Sequence, residues 1–66
     1  MNELEKLKSL LHHWQEHNDE HAETYRDWAR KTASLGNKEL SLILESLYTQ
    51  TKELSELFEK ARKKIT

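Results

Sequence analysis

Residues 34–38 read Ser-Leu-Gly-Asn-Lys, and this stretch decides the fold. Gly36 is the only glycine of the chain, and proline is absent. Glycine suits the left-handed backbone position just past a helix end, and asparagine is a preferred N-cap for the helix that follows. The sequence therefore predicts a tight turn with one helix on each side.

The first helix is predicted to run from about Glu3 to Ser34, with Asn2 as N-cap and Glu5 three residues later. Within it, core-type residues recur at alternating spacings of three and four. This heptad spacing is typical of a seam between nearly aligned helices. The seam positions are Leu4, Leu7, Leu11, Trp14, Asn18, His21, Tyr25, Trp28, Thr32 and Leu35.

The second helix follows Asn37 and shows the same spacing at Leu40, Leu44, Leu47, Thr51, Leu54, Phe58, Ala61 and Ile65. Two long helices joined by so short a turn must fold back on each other. We therefore expect an all-α fold, an antiparallel two-helix hairpin forming one domain over residues 1–66. The alternative is a break near Asn18 and Asp19, both good N-caps, which would give three helices.

The apolar stripe is wider than one partner helix can cover. A chain of 66 residues without cysteine has no disulfide to support a small core. Two hairpins packed together would form a four-helix bundle, and a twofold homodimer is the commonest closed assembly. We therefore expect a homodimer that forms an antiparallel four-helix bundle.

Composition argues against several classes of function. Eleven basic residues against twelve acidic ones do not favour a nucleic-acid-binding protein. No apolar run approaches the roughly 20 residues that cross a bilayer, and no signal peptide follows Met1. The expectation is a cytoplasmic protein with no membrane partner. An enzyme is the least favoured interpretation, because no nucleophile, phosphate loop or acid–base pair in a cleft can be recognised.

The run from His13 to His21 carries a histidine at every fourth position, so three imidazoles should line one side of the first helix. Histidine and carboxylate are ligands of transition metals. The heptad register places His21 on the seam and His17 at its edge. The predicted metal ligands are His13, His17, His21 and Glu20; the predicted polar core layer is Asn18, Thr51 and Ser55; the predicted interface aromatics are Trp14, Tyr25 and Trp28.

Two interpretations of this layer stay open. In one, the layer only fixes the register of the bundle, as a seam asparagine does in coiled coils. In the other, a second chain doubles the histidines and completes a nickel, cobalt or zinc site. Haem held by two histidines is a third, weaker option. His-x-x-Glu-His occurs twice, but the chain is too short for a peptidase cleft and a distal third ligand.

The string His-Trp-x-x-His-Asn-x-x-His-Ala-x-x-Tyr-x-x-Trp-Ala, from His13 to Ala29, resembles a small, poorly characterised prokaryotic family of histidine-rich helical segments. The resemblance covers about a quarter of the chain. It implies that these residues form the family's characteristic face, and that some relatives accompany nickel-, cobalt- or cobalamin-related functions. It implies no reaction. It favours a small binding module, with a transition metal as its ligand.

Overall fold

The structure, a computed structural model, describes residues 2–65, so the first and last residues of the predicted domain lie outside the described residues. It consists of α1, Glu3–Ser34, and α2, Lys38–Lys63, with no strand among the described residues. The helices pack antiparallel as a hairpin whose Cα atoms extend over 52 × 14 × 10 Å. The predicted all-α hairpin is confirmed.

Helix α1 begins as predicted, because the Asn2 side chain accepts a hydrogen bond from the Glu5 backbone N–H at 2.8 Å. The helix continues without interruption through Asn18 and Asp19. The alternative with three helices is therefore wrong. Neither α1 nor α2, within the described residues, carries an apolar stretch long enough to cross a membrane.

The turn between the helices is a Schellman motif. Gly36 has a φ of 87°, and its N–H donates to the Ala33 carbonyl at 3.0 Å. The Asn37 N–H donates to the Thr32 carbonyl at 3.0 Å, while the Asn37 side chain accepts from the Leu40 N–H at 3.2 Å. One Gly-Asn pair thus ends α1 and begins α2, as the sequence predicted.

The helices touch through small side chains. Ala22 and Ala29 are fully buried at 0% and 1% exposure, and Ser41 and Ser55 are buried opposite them. Small residues at the contact let the backbones approach closely. The Ser41 hydroxyl also donates to the Ala29 carbonyl at 2.6 Å.

This contact line corrects the predicted seam. From Leu11 onward, every second position of that seam in α1 does lie at the contact, buried or half-buried (Leu11, Asn18, Tyr25 and Thr32), whereas the alternate positions are turned away from α2. As a result Trp14, His21 and Trp28, predicted to face α2, are exposed in the hairpin. The physical reason is that the alanines permit a closer approach of the two backbones than the bulky aromatic residues do.

The hairpin buries little apolar volume. Among the described residues the buried hydrophobic side chains are Leu11, Ala22 and Ala29, and no large side chain is fully buried. Most large apolar groups stay in contact with water, which is unusual for a stable folded chain. These exposed large side chains are Leu4, Leu7, Leu10, Trp14, Trp28, Leu35, Leu40, Leu42, Ile43, Leu47, Leu54 and Leu57.

Candidate functional site

Most of the exposed apolar side chains form two stripes, one on each helix. Each stripe lies about 90° around its helix from the contact line, at ~100° per residue, and in the same rotational sense. Because the helices run antiparallel, both stripes come to the same side of the hairpin. We call this surface the apolar face. It is formed by Leu7, Leu10, Trp14, Trp28 and Leu35 of α1 with Leu40, Ile43, Leu47, Leu54 and Leu57 of α2.

His17 and His21 lie in the α1 stripe, between Trp14 and Trp28. Both imidazoles are exposed, so the predicted burial of His21 within the hairpin is wrong. The His21 ring stacks on Tyr25 at 6.3 Å between centroids, with 14° between the planes. His17 and His21 thus form a polar centre between the apolar halves of the stripe.

The remaining predicted metal ligands, His13 and Glu20, are also exposed. The rings of His13 and His17 lie edge to face with centroids 4.4 Å apart. His12, elsewhere on the helix, approaches Glu16 at 2.8 Å. Within residues 2–65 no three His, Asp or Glu side chains are grouped closely enough to hold a metal ion. A single hairpin therefore offers pairs of histidines and no complete site.

The predicted polar layer, by contrast, lies between the two helices. The Asn18 amide donates to the Thr51 carbonyl at 2.7 Å and to the Ser55 hydroxyl at 2.8 Å. The Ser55 hydroxyl in turn donates to the Asp19 carboxylate. These directional bonds link the two helices at a part-buried position of their contact. The structure separates this layer from His17 and His21.

The opposite side of the hairpin is polar. Lys52 lies 3.5 Å from Asp19 across the two helices. Farther along, Arg62 contacts Glu59 at 2.6 Å, and its hydrogen bond holds the pKa of Glu59 below the usual range, against a partial desolvation that raises it. Charged side chains on this side keep it hydrated, so it contrasts with the apolar face.

The three predicted interface aromatics differ in exposure. Trp14 and Trp28 are 43% and 50% exposed on the apolar face, whereas Tyr25 is half-buried. The Lys31 ammonium lies 4.5 Å from the centre of the Trp28 ring, in cation–π contact. Exposed tryptophans in a contiguous apolar surface are typical of protein interfaces.

Of the small residues that form the helix contact, Ser55 was predicted as part of the polar layer, whereas Ala22, Ala29 and Ser41 were not predicted. Ala22 and Ala29 stand seven residues apart, and Ser41 and Ser55 stand fourteen apart. A heptad of small residues beside a heptad of large ones was the available signal. It would have indicated two different faces on α1, one for the close contact and one for the large side chains.

Comparison with known proteins places the chain among relatives of its own length. The family model of the domain of unknown function DUF8180 matches residues 7–65. The chain belongs to the DUF8180 family. An uncharacterized protein of Archaeoglobus fulgidus is 36% identical over 58 residues, covering 88% of this chain and 92% of the relative. No solved structure matches the chain. The prediction that the chain belongs to a small family is thus confirmed.

Proposed function

We propose that this DUF8180 chain is a self-associating helical module, in which two hairpins pack through their apolar faces into an antiparallel four-helix bundle. The observation that carries the proposal is the apolar face itself: within residues 2–65, ten large apolar side chains are exposed on one side of the hairpin, and no large side chain is fully buried. A second copy of the chain is the partner most directly available to cover the apolar face. In this role the chain is a binding or structural protein of the cytoplasm.

The size of the face supports a stable dimer. The Cα atoms of the hairpin extend over 52 × 14 Å, a rectangle of roughly 700 Å². This area is close to the ~800 Å² that each partner contributes to a standard interface. Burying a leucine or phenylalanine side chain completely is worth about 1.5–3 kcal/mol. The ten side chains on each copy can therefore offset the roughly 4–15 kcal/mol of freedom lost on association.

The molar mass in solution tests the proposal. Light scattering behind size exclusion at micromolar concentration is expected to give twice the 7.9 kDa mass of the chain. The melting temperature should rise with chain concentration, because folding and association are then linked. The mass of a single chain, together with a melting temperature independent of concentration, would reject the proposal.

A second candidate function is binding of nickel, cobalt or zinc by the histidines of the apolar face. It is favoured by the placement of His17 and His21 one helical turn apart on this exposed stripe. Two copies would supply four such imidazoles, with His13 and Glu20 next to them. On this proposal the histidine string from His13 to Ala29 is the characteristic face of the family.

Calorimetric titration of metal-free protein, purified without a histidine tag, tests this candidate. We expect about one ion per dimer and a higher melting temperature, because a ligand of the native state stabilises it by RT ln(1 + [L]/Kd). His17→Ala and His21→Ala should each abolish the gain. His12→Ala is the control, since His12 contacts Glu16 and lies away from the apolar face. Equal heats from the double variant His17→Ala/His21→Ala would reject the site.

A further inference from the structure

We infer that the second copy is related to the first by a twofold axis perpendicular to the helices, which passes between the copies at the level of His21 and Gln50. The inference rests on the proposed self-association and specifies its geometry. In this arrangement α1 packs on α1 of the second copy and α2 packs on α2. The apolar face carries a mirror pattern that this operator satisfies.

The pattern in α1 is centred on His21. Trp14 and Trp28 lie seven residues before and after it, and Leu7 and Leu35 lie fourteen before and after it. A perpendicular twofold axis at His21 therefore brings each Trp14 against Trp28 of the second copy. It also brings each Leu7 against Leu35, so large apolar groups meet large apolar groups at both of these levels.

The pattern in α2 is centred on Gln50. Ile43 and Leu57 lie seven residues before and after it, while Leu47 and Leu54 lie three before and four after it. The same operator pairs Ile43 with Leu57 and Leu47 with Leu54. These pairs are symmetric about one centre in each stripe, as two antiparallel copies of one helix require. Leu10 and Leu40 fall outside the pattern, since their counterparts are Thr32 and Lys60.

The two centres lie at one level of the hairpin. The Asn18 amide bonds the Thr51 carbonyl at 2.7 Å, and His21 and Gln50 each lie within one helical turn of that bond. A single axis can therefore pass through both centres. Around it the two copies place His21 and Gln50 as a polar layer inside an apolar interface.

This polar layer would fix the register of the two copies in the dimer. A shift of one helix along the other would put His21 or Gln50 against a leucine or tryptophan, which leaves a polar group without a partner. Only the symmetric register lets the four polar side chains meet one another.

A rival arrangement has the twofold axis parallel to the helices, so that α1 packs on α2 of the second copy. Single-cysteine variants can distinguish the two arrangements, because the chain has no cysteine of its own. Helices packed at about 8–10 Å bring facing Cα atoms to roughly 4–6 Å, within the range of a disulfide. Helices on a diagonal of the bundle stay out of that range.

The test compares His21→Cys and Gln50→Cys, alone and mixed, under mild oxidation at micromolar concentration. We expect each variant alone to form a covalent dimer about 100-fold faster than the control His12→Cys, because thiols held together in a complex react at an effective concentration of about millimolar. Gln50→Cys serves as an independent second position should His21→Cys fold poorly.

The outcomes separate this inference from the proposed self-association. Cross-linking only in the mixture of the two variants would establish the rival axis and overturn the inference. A dimer by light scattering without cross-linking of any of them would also overturn it, while leaving self-association intact. A single-chain mass for the unmodified protein would overturn both.

Discussion

Replacing Trp28 with alanine is expected to lower the free energy of unfolding by about 3–5 kcal/mol per chain, the usual cost of removing a buried tryptophan or phenylalanine. In the isolated hairpin this side chain is 50% exposed, and its removal would cost far less. In the proposed dimer it is buried against Trp14 of the second copy. Denaturant unfolding at several chain concentrations measures the loss, which should be accompanied by dissociation at micromolar concentration.

A matched pair of leucines provides the control. Leu47 is 43% exposed on the apolar face, and Leu42 is 53% exposed on the outer side of α2, beside Glu45 and Thr49. Leu47→Ala should therefore cost about 2–5 kcal/mol, whereas Leu42→Ala should change stability by less than about 0.5 kcal/mol. Similar small effects for both leucines and for Trp28 would show that no second copy covers this face.

Enlarging the helix contact is expected to have the second large effect. The variant Ala22→Leu/Ala29→Leu should destabilise the hairpin by about 2–6 kcal/mol, since each insertion into a packed contact typically costs about 1–3 kcal/mol. Both alanines are buried where α1 meets α2, so leucine side chains must push the helices apart. The same displacement would stretch the hydrogen bonds from Asn18 to α2.

Ala33→Leu is the control, because Ala33 is exposed on the same helix and leucine has a similar helix propensity to alanine. Thermal and denaturant unfolding of the two variants measure the difference. Circular dichroism should show that the control keeps its helix content and stability. If the double variant were as stable as the control, the close helix contact at the two alanines would be wrong.

Much of this fold follows from the local sequence. Gly36 and Asn37 are enough to predict one turn, because the positive φ and the side-chain cap are local requirements that few other residues meet. The absence of proline and the helix-forming composition then extend the helices to both sides. A hairpin with a known turn has a known register, and in that register Asn18 bonds Thr51 and Ser55 across the two helices.

The heptad pattern alone does not decide which face each helix turns toward the other. Helix α1 carries two neighbouring heptads, a small one through Ala22 and Ala29 and a large one through Trp14, His21 and Trp28. The heptad of large side chains is the more conspicuous one, and we predicted that it faces the other helix. For this reason His21 was expected at the helix contact, whereas it is exposed. Which heptad makes the contact depends on how closely two backbones can approach. That distance is a property of the packed pair, so only the tertiary structure decided it.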